Sequence, residues 1–180
     1  ALPDDIRPVN LAGMQMPAHE APCNALLFGT ALMDHAPVWD DIAWLRAQTR
    51  LPVIVKGITD PDDATLALEC GVDGIIVSNH GGRVLDGVPA SIDLLPAVVD
   101  AVDGWVPVLM DGGVRRGNDV LRALALGASA VLIGRPVLHA LATAGALGVA
   151  HAIRVLRAEF ELAMALTGCR TIDEIGLQCL

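Results

Sequence analysis

Val77-Ser78-Asn79-His80-Gly81-Gly82-Arg83-Val84-Leu85-Asp86 is the stretch on which the fold turns. The apolar run before it, Gly74-Ile75-Ile76-Val77, is too short for a helix and rich in β-branched residues, so it reads as an interior strand of a parallel sheet. It hands over abruptly to a hydroxyl, an amide, an imidazole, two glycines and a guanidinium. Polar chemistry just past the carboxyl end of such a strand is where α/β proteins place their sites. Gly81 and Gly82 let the backbone turn tightly, and His80 is able to take and return a proton near neutral pH. Arg83 offers a planar fork suited to a carboxylate. A proton acceptor beside a carboxylate anchor suits chemistry on a small organic acid.

Outward from this stretch the same unit recurs: strand, polar tip, capped helix, glycine, strand. Upstream, Pro52-Val53-Ile54-Val55 ends in Lys56-Gly57, Thr59 or Asp60 caps a helix opened by Pro61, and Gly71 ends it. Downstream, a helix starts near Ser91 to Asp93, with Pro96 placed in its opening turn. Pro107-Val108-Leu109-Met110 is the third strand, closed by Asp111-Gly112-Gly113, and Asn118 caps a helix running to Gly127. Ala130-Val131-Leu132-Ile133 is the fourth, ending in Gly134-Arg135. A long amphipathic helix follows Gly148, with Ile153, Leu156, Phe160 and Met164 on one stripe; Gly168 stops it and Thr171 to Glu174 begins a final short helix. Ahead of the repeats, residues 37–46 read as a helix in which Trp39 and Trp44 serve packing, and residues 1–36 as an irregular linker region.

Four strand–helix units imply a parallel sheet with right-handed crossovers. A (β/α)₈ barrel typically needs about 250 residues, so the 180 residues correspond to half of one, strands five to eight. An open half exposes two sheet edges and one inner face, and something else is expected to cover them.

In a parallel barrel all strand tips lie at one mouth, so the polar tips converge. They are Lys56; Ser78 with His80 and Arg83; Asp111-Gly112-Gly113-Val114-Arg115; and Gly134-Arg135. Phosphate sites in such barrels are commonly built after strands seven and eight, where the last two tips fall. Glycines there free backbone amides to approach a phosphate, and the arginines add fork-like donors; the alternative is a simple turn with solvated arginines. Lys56 is suited to stabilising negative charge on a cofactor, or to a structural ion pair in the barrel mouth. Asp111 is suited to holding a hydroxyl of a cofactor or to orienting His80. His19, His35, His139 and His151 lack comparable surroundings, and no cluster has metal-ligand spacing.

Composition narrows the classes. The chain is 53% hydrophobic and 18% charged, as suits strands covered on both faces. A net charge of −9 disfavours nucleic acid or an anionic membrane surface as partner. No apolar stretch is expected to span a bilayer, and no signal-peptide pattern opens the chain. The four cysteines, Cys23, Cys70, Cys169 and Cys179, have no ligand or redox-motif spacing and read as reduced, mostly buried thiols of a cytoplasmic protein.

Ser78-Asn79-His80-Gly81-Gly82-Arg83 followed by Leu85-Asp86 resembles the active-site signature of the FMN-dependent α-hydroxy-acid oxidases and dehydrogenases. The likeness extends through nearly the whole chain, from Leu2-Pro3 and Trp39-Asp40-Asp41-Ile42-Ala43-Trp44-Leu45, through Pro52 to Gly57, to Glu159-Phe160-Glu161-Leu162. It implies the carboxyl-terminal half of an FMN-binding barrel that oxidises an L-2-hydroxy acid to a 2-keto acid. By that resemblance His80 is the catalytic base and Arg83 holds the substrate carboxylate. Lys56 and Ser78 contact the flavin, and Asp111 to Arg115 with Gly134 and Arg135 bind the ribityl phosphate. Many members carry glutamine where Val84 stands, and the family's amino-terminal half supplies a tyrosine that this tyrosine-free chain lacks. The expectation is therefore a fragment or one product of a split chain, inactive alone, within a tetramer by resemblance. Competing expectations are another FMN-using barrel enzyme such as an isomerase, and a non-catalytic half-barrel that binds FMN or phosphate.

Overall fold

The computed structural model describes residues 36–180. The expected linker, the apolar stretch from Ala25 to Phe28, His19, His35 and Cys23 lie outside the described residues. Within the unit Trp39–Leu180, helix α1 covers Asp40–Gln48, and β1 (Ile54–Ile58), α2 (Pro61–Glu69), β2 (Gly74–Val77), α3 (Ser91–Val102), β3 (Val108–Met110), α4 (Gly117–Ala125), β4 (Ala130–Val131) and α5 (Arg135–Thr167) follow in strict alternation. All pairings are parallel and the strand order is β1-β2-β3-β4. This is the repeating unit of a (β/α)₈ barrel, present four times.

Burial explains the arrangement. Ile75 and Val77 of β2 are fully buried beside Val108 and Met110 of β3, and the helices add Ala64, Ala67, Leu95, Val98, Val102, Val120 and Ala123. Leu156 and Phe160 of α5 pack onto this core from one face of their helix. Ile153, expected on the same stripe, is half exposed; the inward face is formed by Ala152, Leu156, Phe160 and Ala163.

Several boundaries differ from expectation, each for a local reason. Strand β1 runs on through Lys56 and Gly57 because a bulge there restores pairing at Ile58, opposite Val77. Asp60, not Thr59, caps α2, accepting the Asp62 N–H at 2.8 Å. Pro96 lies beyond the opening turn of α3; losing one helix bond there is offset by the complete burial of its neighbours Leu95 and Val98. Asn118 does not cap α4: Arg116 is the N-cap, and the Asp119 carboxylate accepts the Arg115 and Arg116 N–H groups, both at 2.9 Å. Helix α5 begins at Arg135, well before Gly148, and its backbone breaks at Ala144 and Gly145. Thr171 to Glu174 forms a single 3₁₀ turn, Ile172–Glu174, followed by a second, Leu177–Cys179. Trp39 packs against the core as expected, whereas Trp44 is 65% exposed.

Contrary to the sequence expectation, α5 is long and apolar enough to cross a membrane by length and composition alone. The break at Ala144–Gly145 interrupts it, and the part beyond carries Arg154, Arg157, Glu159 and Glu161. Its inward face is occupied by the core.

Candidate active site

The tips of the four strands meet around one cleft of about 280 Å³, whose lining includes Lys56, His80, Arg83, Asp111, Arg115 and Arg135. Val114 lines it as well, with its side chain buried at 4% exposure. Every polar tip singled out in the sequence except Ser78 borders this space, and Ser78 reaches it through Lys56.

The floor is an ion-paired cluster. Lys56 Nζ donates to Ser78 Oγ at 2.8 Å and lies 2.9 Å from Asp111 Oδ2. Ser78 is fully buried, and its hydroxyl also accepts the His80 N–H at 3.0 Å. The other Asp111 oxygen, Oδ1, is buried without a hydrogen-bond partner. A buried carboxylate oxygen of this kind costs desolvation free energy unless a donor reaches it. Asp111 is therefore prepared to accept from a hydroxyl of a bound group. The structural ion pair anticipated as one reading of Lys56 is present, and its acidic partner comes from a strand two units further on.

His80 stands in a left-handed backbone conformation at φ 55°, unusual for a residue with a side chain. Asn79 secures the turn: its Oδ1 accepts the Gly81 N–H at 3.0 Å, its Nδ2 donates to the Pro89 carbonyl at 3.2 Å, and its own N–H donates to Ser91 Oγ at 3.1 Å. Sequence reasoning quoted Asn79 but gave it no role; its position one residue before a strained histidine was the available signal. The bulge at Gly57 completes the setting. A Cβ there would lie 2.7 Å from His80 Nε2, so the imidazole rests directly against the bare Gly57 backbone.

Across the cleft lie the two glycine loops. At Gly113 and Gly134 a Cβ would meet nothing within 4 Å, leaving an open cradle beside the main chain. Arg115 and Arg135 flank it, both exposed. Their parts differ from the simple expectation. The Arg115 N–H is taken by Asp119, so only its side chain is available to an anion. Arg135 Nη2 donates to the Gly81 carbonyl at 2.6 Å, which ties the second glycine loop to the His80 turn. The orphaned Asp111 oxygen, the open glycine backbone and the flanking guanidinium groups fit a phosphorylated, polyhydroxylated cofactor. Among the described residues no cluster of His, Cys, Asp and Glu is arranged to hold a metal ion.

Residues 5–180 match the FMN-dependent dehydrogenases, and the chain belongs to that family. FMN is accordingly its cofactor. Among relatives, L-lactate oxidase of Roseobacter sp. (strain GAI101) is 54% identical over 176 residues, covering 97% of this chain and 47% of the relative. The 2-hydroxyacid oxidase 1 of Mus musculus is 57% identical over 143 residues, covering 79% of this chain and 39% of the relative. Among solved structures, mandelate oxidase with benzoyl-formic acid superposes with a TM-score of 0.74 at 50% identity, over 76% of this chain and 41% of that one. Mandelate oxidase is a complete TIM barrel, and the present fold is a partial one. The chain spans about half the length of the curated relatives it matches or less.

Proposed function

We propose that this chain forms the carboxyl-terminal half of an FMN-dependent enzyme that oxidises an L-2-hydroxy acid to the 2-keto acid. The observation that carries the reading is the juxtaposition of an imidazole and a guanidinium, His80 and Arg83, with a glycine cradle and an orphaned carboxylate oxygen around one cleft. Relatives named for oxidation of lactate, 2-hydroxy acids and mandelate support it.

In this reading bound FMN would supply the acceptor for the two electrons released by the substrate. Arg83 pairs with the substrate carboxylate, which fixes the hydroxyl-bearing carbon relative to His80. His80 removes a proton through its imidazole as general base. Its strained backbone and the Asn79 brace hold the ring against the bulge, so little reorganisation precedes proton transfer. Lys56, held by Asp111 and Ser78, places a cation in the cleft, where it would stabilise negative charge on a bound flavin. Asp111 Oδ1 would accept from a cofactor hydroxyl, and the backbone from Gly112 to Val114, with Gly134 and the side chains of Arg115 and Arg135, would hold the phosphate.

The described sheet leaves β1 and β4 as its outer strands. Turnover in this account requires the complementary amino-terminal half of the barrel, within a homo-oligomer. The test combines FMN titration of the chain with a screen of L- and D-2-hydroxy acids, performed with and without that half supplied. The account expects turnover of L-acids only in the assembled protein, with Arg83→Met raising KM at least tenfold. FMN binding with no turnover of any 2-hydroxy acid by the assembled protein would support a binding module instead.

A further inference from the structure

Just beyond Gly168, which ends α5, two cysteines that do not line the cleft face each other. Cys169 Sγ lies 3.4 Å from Cys179 Sγ. Cys169 follows the left-handed Gly168 that ends α5, and Cys179 closes the turn Leu177–Cys179, which packs against α4. We propose that Cys169 and Cys179 are a redox modification site, converted by a hydroperoxide into a reversible disulfide that ties the turn Leu177–Cys179 to the end of α5.

The geometry divides the roles. Cys169 is 8% exposed, whereas Cys179 is half-buried and open to a small oxidant. Polar partners surround the pair: Thr167 Oγ1 lies 3.7 Å and the Glu174 carbonyl 3.6 Å from Cys169 Sγ. A hydrogen bond from the Gly176 backbone and the adjoining Cys169 thiol hold Cys179 below the ordinary thiol range. Cys169 is held above that range: the Thr167 hydrogen bond pulls it down, but the Cys179 sulfur, burial and the Glu174 charge together outweigh it. Cys179 is thus the sulfur that ionises first and attacks, and Cys169 resolves.

With hydrogen peroxide the steps balance. The Cys179 thiolate attacks one peroxide oxygen, the O–O bond breaks, and the departing hydroxide takes a proton to leave as water, giving a sulfenic acid. Cys169 sulfur then attacks Cys179 sulfur; the S–S bond forms, the S–O bond breaks, and hydroxide leaves with the Cys169 proton as a second water. Two thiols have lost two electrons, and the peroxide has gained them. Closure requires the sulfurs to approach from 3.4 Å to about 2.05 Å, a movement available to a side-chain rotation and a single short turn.

Trypsin cleaves after Arg170, between the two cysteines, so the disulfide would join two peptides, Ala158–Arg170 and the one that begins at Thr171. The experiment treats the purified protein with a small excess of hydrogen peroxide, alkylates remaining thiols, digests without reductant and reads masses. The expected result is the joined pair, two hydrogens lighter than the separate peptides and separated by dithiothreitol. In Cys169→Ser, Cys179 is expected to be captured by dimedone as a sulfenic acid; in Cys179→Ser, Cys169 should stay alkylatable at the same dose. Both cysteines remaining fully alkylatable in the peroxide-treated, unsubstituted protein, or Cys169 oxidising equally well without Cys179, would overturn the proposal. Because the oxidant is added, the outcome does not depend on hydroxy-acid turnover.

Discussion

Gly57→Ala puts the geometry of the cleft under a graded strain. Gly57 has φ +99°, and a methyl group there would stand 2.7 Å from His80 Nε2, against ordinary contact beginning at 3.4 Å. Two costs follow. A Cβ in left-handed backbone destabilises the fold by about 1–2 kcal/mol. The imidazole must also retreat by several tenths of an ångström, and misplacement of a catalytic group by about 1 Å is worth on the order of 10²-fold in rate. The expected outcome in the assembled, flavin-loaded protein is a kcat lowered roughly 10- to 100-fold, with KM nearly unchanged because Arg83 is untouched. Gly87→Ala is the control: it also has a positive φ, +79°, but open space around its Cβ. It should lose stability without losing kcat. Steady-state kinetics across a substrate series, with urea denaturation of both variants, separates the two effects. A Gly57→Ala protein with the original kcat would refute the placement of His80 Nε2 at the reacting centre.

Other perturbations address the scaffold. A Cβ at Gly117 would fall onto the Phe160 backbone nitrogen and the Glu159 carbonyl carbon, which cannot yield as a side-chain tip can. Gly117→Ala is therefore expected to cost at least about 1–3 kcal/mol by overpacking α4 against α5, read as a lowered urea midpoint at unchanged slope. Asp119→Ala removes the acceptor for the Arg115 and Arg116 N–H groups and should cost about 1 kcal/mol, while loosening the glycine loop enough to weaken FMN binding in a titration. Asp73 is held below its ordinary value of 3.8, first by the Val53 N–H and then by Arg46. A depressed carboxylate stabilises the fold above the unfolded value, and that contribution disappears as pH falls through the folded one. The gap in urea midpoint between the original protein and Asp73→Asn should therefore narrow as pH drops below about 4; a constant gap would contradict the assignment.

What was legible in the sequence was set by local signals. β-Branched runs located β1 and β2, and a short apolar run located β3, since a buried parallel strand leaves no polar alternation to misread. Glycines after the strands and helices marked their ends at Gly71, Gly127 and Gly168, where the backbone is left-handed. The polar tips were found because each directly follows an apolar run. Less visible were features that depend on partners far along the chain. Asp111 pairs with Lys56 and Arg135 with Gly81 only once the sheet has formed. The Gly57 bulge exists because Ile58 regains a partner in β2, which no window around Gly57 reveals. Asn118 was a reasonable cap by residue type, but Asp119 one position later reaches two amides at once and displaces the start of the helix. The early start of α5 was hidden by Gly145 and Gly148, which suggest a loop. One marks the break, and the other passes close to the Ala140 carbonyl.

The central claim, that His80 takes a proton from a 2-hydroxy acid as flavin is reduced, is tested most directly by anaerobic mixing. The assembled protein with FMN bound is combined with a saturating L-2-hydroxy acid, and the visible flavin band is followed in the original protein and in His80→Asn. The account predicts bleaching with release of an equal amount of 2-keto acid, and a rate lower by about 10²–10⁴-fold in the variant, with its oxidised flavin spectrum intact. Bleaching at the same rate without the imidazole, or no bleaching with FMN and substrate both bound, would contradict it.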